Sequence, residues 1–582
     1  MRHLISGIAA SVLLAAAAHA DPAADFASLV ADYEAWTEDQ NIQARIRAGD
    51  LEAMREWRDI SRETVDQQDA EIAQFHERMR AIDASAMEGT DRASYAVLEH
   101  ILRHAAALPR AQSMRFPFTN DSGFHTAADF AAMSVRIRNV DEAEAWIDRL
   151  AAYPAHLEEW QDWLDEAIEA GWTQPREIVP GVIDQIAVQI VEDPRESALY
   201  QPLANLPASI PAETREALQD RGAAVIADSV IPAIAGLRDY FEDTYLPASR
   251  DSIGVSDVPG GREYYRALVR YHTSLDVTPE EVHRTGLAEV ARIRAEMDDV
   301  IARTGFEGSF DEFTHYLRTD PRFYAQSEME LMMRASYLSK LADDAMPAVF
   351  NRLPRLPYGV RPVPPALAPN YTTGRYWAGD AETGRAGGYM VNTYALDQRP
   401  LYELPALTLH EAVPGHHHQI ALAQEIEDLP GFRRRASITA FTEGWGLYSE
   451  FLGIDMGFYE DPYGDFGRLS YEMWRACRLV VDTGMHYFGW TRQQAEACFL
   501  DNSALAPLNV TNEVARYISW PGQALAYKTG EILIRRLRSQ GEARLGEDFD
   551  LAEFHDTILE EGPLPLSYLE EKMEAWIAGQ EG

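Results

Sequence analysis

The segment TLHEAVPGHHHQI, residues 408–420, concentrates four of the chain's 16 histidines within nine residues and sets a glutamate directly after the first. Imidazoles and carboxylates at such density are the donor types of a zinc site. A zinc-peptidase helix reads H-E-x-x-H, because histidines at i and i+4 lie about 40° apart and reach one ion, while the glutamate serves as base. Here the i+4 position is Pro414 and the next histidines are His416, His417 and His418. On an unbroken helix His416 would lie about 240° around from His410 and roughly 9 Å along the axis, so the two could not share an ion. Proline removes an N–H and clashes with the preceding turn, and the following glycine tolerates unusual backbone angles. Pro414-Gly415 therefore predicts a detour of two residues that returns a later histidine to the metal face.

A catalytic zinc takes three protein ligands and a water. FTEGWGLYSE, residues 441–450, supplies Glu443 and Glu450 on a second predicted helix. Glu443 follows His416 by 27 residues, room for a helix–loop–helix return, and is the expected third ligand. Glu450, two turns on, is better placed to orient a histidine from behind. The bland alternative is a surface histidine cluster beside a solvated acidic face. Leu407, Leu409 and Val413 around the His-Glu pair argue against it.

The elements that must position these groups are mainly helical. DEAEAWIDRLAAYPAHLEEWQDWLDEAIEAG (141–171) spaces Trp, Ile and Leu as one long amphipathic helix ending on Gly171, its tryptophans reading as core. VTPEEVHRTGLAEVARIRAEM (277–297) opens with Thr278 as cap, Pro279 in the first turn and Glu281 closing a capping box. PRLPYGVRPVPPALAPNYTTG (354–374) holds six prolines and breaks the helical pattern. RAGGYMVNTY (385–394) then alternates as a short strand, an edge against which a peptide could pair, with Asn392 as a substrate-binding candidate. There is no internal repeat. A length of 582 residues implies one large helical body or several lobes, divided here as 21–270 and 271–582.

Residues 1–20, MRHLISGIAASVLLAAAAHA, read as a cleavable signal with cleavage after Ala20, which predicts a periplasmic or secreted protein. No cysteine follows the signal, so a lipid anchor is not expected, and no later segment is apolar enough to span a membrane. The formal charge of −41 repels a phosphate backbone and argues against nucleic acid as partner. Cys477 and Cys498 read equally as one disulfide or two thiols.

GGYMVNTY, LTLHEAVPGHHHQ, FTEGWGLYSE, RLVVDTGMHYFGW and RYISWPGQALAYKTG, with TQPREIVPGVIDQI and the stretch 245–283 upstream, resemble the blocks of the bacterial family known as domain of unknown function 885. That family is similar to helical zinc metallopeptidases such as carboxypeptidase Taq, angiotensin-converting enzyme and the neurolysin-type oligopeptidases. The resemblance implies a mainly α, zincin-like fold with a small sheet beside the active-site helix and a deep channel. It implies Zn²⁺ held by two histidines and a downstream glutamate. The lengthened motif ending in Gly-His in dipeptidyl peptidase three favours His416 over His417 as the second ligand, leaving His417 and Glu450 as supporting residues. His418 stands where the family has leucine.

The expected chemistry is hydrolysis of short peptides, as a carboxypeptidase or by release of dipeptides, with Glu411 as general base. In the related enzymes a C-terminal tyrosine and histidine stabilise the oxyanion, which points to Tyr527 and His486. Arg516, Tyr517 and Lys528 are candidates for binding substrate, Arg516 or Lys528 through a carboxylate. Arg478 and Asp482 read as an interior ion pair, and His486 reads equally as a core histidine. A zinc amidase or deacylase, and a non-catalytic periplasmic protein that binds metal or peptide, are the alternatives. Oligomeric state is not legible.

Overall fold

The helix Val140–Ala170 (α1) begins on an Asn139 cap and ends where Gly171 turns left-handed (φ 72°), the boundaries that its capping residues predict. This computed structural model describes residues 21–365 and 368–581, so the signal segment 1–20 lies outside the described residues. Helices Gly261–Thr273 (α2) and Pro279–Thr304 (α3) follow, and both reciprocal hydrogen bonds of the Thr278–Glu281 capping box are present at the start of α3. Trp146 and Trp163 are buried, and each indole N–H is satisfied by a backbone carbonyl, of Leu199 and Ile60 respectively.

After the helix Glu328–Ala345 (α4) the proline-rich stretch supplies an edge strand, Tyr358–Pro362 (β1). Gly374–Trp377 (β2) and Gly387–Val391 (β3) complete a three-stranded sheet in the order β1-β3-β2. β1 runs parallel to β3 with Tyr358 opposite Gly387, and β2 runs antiparallel with Tyr376 opposite Tyr389. The sequence predicts that 385–394 offers a free edge to substrate. The structure corrects this, since β3 is the central, fully buried strand and both its edges are paired. The outer edge near the histidine motif belongs to β2.

The motif helix Leu404–Glu411 (α5) packs on β2 and is followed by His416–Gln424 (α6), Thr439–Leu452 (α7), Pro462–Tyr487 (α8), Pro507–Ser519 (α9) and Ala526–Leu545 (α10). Two large cores meet at α5. Leu404, Ala406, Leu407 and Ala412 enter a core shared with Trp146, Tyr389 and Phe466. Leu409 and Val413 enter a second, shared with Phe26, Trp445 and Phe554. Each core draws on residues from both sides of position 270. His410 and Glu411 thus lie on the seam between them.

α8 is buried from Gly464 to Tyr487 yet carries Asp465, Arg468, Glu472, Arg475, Arg478, Asp482 and His486 at steps of three or four residues. That spacing draws a polar stripe along one side of the helix. Such a stripe is stable in the interior only where each charge finds a partner. α3 lies along α8 and α10 crosses it, and the three meet at Lys528. The Lys528 ammonium donates to Glu472 (2.7 Å) and Glu531 (2.8 Å) and pairs with Glu289 (3.0 Å), while Arg535 joins the same carboxylates. Cys477 and Cys498 are free thiols side by side.

α7 and α10 cross at Gly444 and Gly530, close enough that a methyl group on Gly444 would fall 2.5 Å from the Gly530 Cα, and one on Gly530 would drive into the Ala440 carbonyl oxygen. Gly236, inside the helix Ile231–Tyr240, has open space around its Cα. Gly530→Ala should therefore lower stability by about 3 kcal/mol through overpacking. Gly236→Ala should raise it by about 0.5–1 kcal/mol through backbone entropy and helix propensity. Denaturant midpoints of the two variants measure both.

Candidate metal centre

α5 stops at Glu411 and α6 starts at His416, so the four residues Ala412-Val413-Pro414-Gly415 form the expected detour. Backbone hydrogen bonds tie it to the flanking helices. The Ala412 N–H donates to Thr408, the Gly415 N–H reaches back to the Leu409 carbonyl (2.9 Å), and the His417 N–H donates to Ala412 (3.1 Å). A side chain at Gly415 would strike the carbonyl of His410, which is why glycine ends the turn. The indole N–H of Trp445 on α7 caps the loop at the Pro414 carbonyl (2.8 Å).

The detour places the His416 imidazole beside that of His410, nearly perpendicular, with ring centres 4.7 Å apart. Glu443 Oε2 lies 3.5 Å from His410 Nε2 and 3.4 Å from His416 Nε2, and all three donor atoms fall within 4.8 Å of one another. These separations are long for hydrogen bonds. They match the roughly 3.4 Å between two donors of a tetrahedral zinc with bonds of about 2.0–2.1 Å. Two nitrogens and one carboxylate oxygen are also the donor set of a catalytic zinc site. The group Glu289, Glu472 and Glu531 is equally close-set but already surrounds the Lys528 ammonium, so its cation is built in.

α7 serves His410 from two sides. Glu443 and Glu450 are seven residues apart and so share a helix face. Glu443 meets Nε2, while Glu450 Oε1 accepts from Nδ1 at 2.8 Å and fixes which ring nitrogen stays free. Between them Gly446 lies against the ring, where a methyl group would come 2.8 Å from Cε1. Arg475 of α8 backs Glu450 at 3.5 Å, and the Tyr459 hydroxyl donates to the Glu450 carbonyl. Burial alone would lower the His410 pKa, but Glu443 and Glu450 overcome it and raise it to about 9. Burial acts against the charge of Glu443 too, yet His416 and His410 hold its carboxyl well below the usual range. The field at this point favours a cation.

Glu411 faces the sheet, where its Oε2 accepts the backbone N–H of Tyr376 in β2 at 2.6 Å. His417 turns away from the triad, its Nδ1 2.9 Å from the Tyr376 hydroxyl. It supports Glu411 through the strand and leaves the orienting of His410 to Glu450. Burial lowers the His417 pKa to about 4. His418 packs on Phe350 with neither ring nitrogen bonded, filling an apolar slot as leucine would, and burial lowers its pKa to about 3.

Four of the expected roles do not fit where the residues lie. His486 is sealed in the interior between the Val255 N–H (3.1 Å, on Nδ1) and the Tyr517 carbonyl (2.9 Å, on Nε2), so both ring nitrogens are occupied. Lys528 is fully buried and spends its donors on three glutamates, which leaves none for substrate. Asn392 is fully buried and closes a turn, donating to the carbonyls of Ala368, Tyr371 and Thr372 and accepting from the Tyr394 N–H. Arg478 pairs with Glu513 (3.2 Å), not Asp482, which accepts instead from the Tyr265 hydroxyl and the Gly522 N–H. Tyr527 has the Arg478 guanidinium 4.4 Å over its ring, and its phenol pKa is raised by burial and by the Glu443 charge. Arg516 and Tyr517 gather around Glu513. Tyr376, Gly446 and Arg475 were not foreseen. A glycine inside a predicted helix, as in TEGWGLY, is the one signal that marked a close approach.

Glu450→Gln should keep the fold and weaken zinc binding about 10–100-fold, because His410 loses the carboxylate that orients it. Competition with a chromophoric chelator reads the affinity directly.

The comparisons with other proteins agree on the fold. A "putative lipoprotein" from Colwellia psychrerythraea superimposes with a TM-score of 0.88 at 28% identity, over 96% of this chain and 100% of that one. A second, a "putative lipoprotein of unknown function" from Shewanella oneidensis, gives 0.73 at 16% identity over 94% and 99%. No protein of curated function matches. The family described as "Bacterial protein of unknown function (DUF885)" matches residues 43–573, nearly the whole of the described chain, and the protein belongs to that family.

Proposed function

We propose that the protein is an exported zinc-dependent peptidase that hydrolyses short peptides. The observation that carries this reading is the convergence of His410 Nε2, His416 Nε2 and Glu443 Oε2 at 3.4–3.5 Å, with a carboxylate of the same motif helix held alongside by a backbone N–H. His410, His416 and Glu443 would hold the ion. When bound, zinc supplies Lewis acidity and brings the pKa of a coordinated water toward neutrality.

The chain's own groups supply the rest. Glu411 takes the proton of the attacking water and hands it to the leaving amine. Its orientation depends on the Tyr376 N–H, and so on the register of β2 against β3. Glu450 keeps the His410 Nε2 lone pair aimed inward. Tyr527, on α10 near the crossing that brings it against α7 beside Glu443, is the candidate to donate to the oxyanion, a role that the enclosed His486 cannot take. Glu443 keeps 22% of its side chain exposed although protein surrounds it, as in a narrow recess, which favours a flexible peptide over a folded protein. Pure metal storage would need no base beside a ligand.

Glu411→Gln should retain stoichiometric zinc and lose about 10²–10⁴-fold in turnover of a mixed peptide library. Unchanged turnover would remove Glu411 from the mechanism. Cleavage of acyl-amides but of no peptide would move the protein to the amidase class. Removal of zinc with a chelator should abolish activity and lower the melting temperature, with zinc restoring both.

A further inference from the structure

Arg478 is a buried cation short of partners. Its side chain is 4% exposed; Nε donates to the Tyr517 hydroxyl (2.8 Å) and Nη2 to Glu513 (3.2 Å), while Nη1, also buried, has no partner. Arg516 leans on the same carboxylate (3.0 Å) and on Gln523 Oε1 (2.8 Å). Glu513 is thus shared by two guanidinium groups and the Tyr517 hydroxyl, which also donates to it. Asp482, one turn along α8, is engaged by the Tyr265 hydroxyl (2.6 Å) and the Gly522 N–H (3.0 Å). Two arginines thus face Glu513 and Asp482, and the buried donor left open among them is the Nη1 N–H of Arg478. Planar guanidinium pairs are the groups that proteins use to take a carboxylate.

One side of this cluster reaches solvent, and its other side lies toward the candidate metal centre. Arg516 and Glu513 keep 17% and 18% of their side chains exposed, although protein encloses them as it does Glu443. Arg478 covers one face of the Tyr527 ring at 4.4 Å, and Tyr527 sits three residues from Gly530, at the crossing where α10 touches α7 beside Glu443. Burial and the Glu443 charge push its phenol pKa upward, and Arg478 and Arg516 pull it back.

We propose that Arg478 and Arg516, with Tyr517 and Gln523, form a pocket for the terminal α-carboxylate of a peptide, so that the protein reads its substrates from the C-terminus. The direction of cleavage rests on the zinc-peptidase reading above; the binding does not. The test therefore measures binding apart from turnover. Zinc-loaded Glu411→Gln protein is titrated calorimetrically with one tetrapeptide lacking acidic side chains, as the free acid and as the C-terminal amide. The acid should bind at least about 100-fold more tightly, since a site built to bond a group rejects the analogue lacking it. Arg478→Lys in the same background should erase most of that preference and leave binding of the amide unchanged. Arg516→Gln, at the solvent-reached side, serves if Arg478→Lys fails to fold. Equal binding of acid and amide, or no binding of either, overturns the pocket, as does an amidated peptide ending in glutamate that binds as tightly as the free acid. Hydrolysis is scored separately on the wild-type protein. Acid preference without cleavage would retain the pocket and sink the peptidase, and cleavage blind to the C-terminus would do the reverse.

Discussion

The imidazole of His410 sits between two carboxylates because position 446 has no side chain. One face of α7 presents Glu443, Gly446 and Glu450 in successive turns, so the ring lies on the glycine with a carboxylate at each nitrogen. That contact sets the distance between α5 and α7. The glycine pair at the α7–α10 crossing sets the next distance, and with it the position of Tyr527. The site is thus a stack of helices brought closer than ordinary side chains permit, each spacing decided by an absent Cβ.

Two kinds of burial surround this stack. On one side α5 places leucines into each of two cores, which holds the motif at their seam at little electrostatic cost. On the other, α8 carries its charges into the interior in partnered sets: Arg475 behind Glu450, Lys528 among three glutamates, Arg468 between Asp465 and Glu472. Removing one member would strand another in low dielectric, so such a network penalises rearrangement more than it adds stability. It gives the candidate metal centre a firm backing.

Much of this was legible in the chain. The long helices followed from apolar spacing and caps, as Thr278–Glu281 and Gly171 illustrate, and Pro414-Gly415 implied the detour that returns His416. The helical period also placed Glu450 behind whatever Glu443 met. What could not be read was long-range. The strand at 387–391 was visible, but its place in the middle of the sheet depends on β1, drawn from a proline-rich stretch that carries no strand signal. Lys528 reads as a substrate anchor because its ammonium could take a carboxylate, and only the approach of α3 and α8 shows that its charge is spent. His486 and Arg478 share a helix and a buried polar stripe; which of them has a free donor is decided by Val255 and α9, which occupy both ring nitrogens of His486 and only part of the Arg478 guanidinium.

The buried histidines carry a consequence beyond the site. His418, His486 and His555 are enclosed and neutral, with burial holding each pKa to about 3, and His272 is held likewise. In the opened chain each would titrate near 6.5. Between those values the unfolded state binds more protons than the native one, so acid draws the equilibrium toward unfolding as pH falls from about 6.5 toward 3. The leucine-sized slot that holds His418 is therefore also a point where acidification would be felt by the whole molecule.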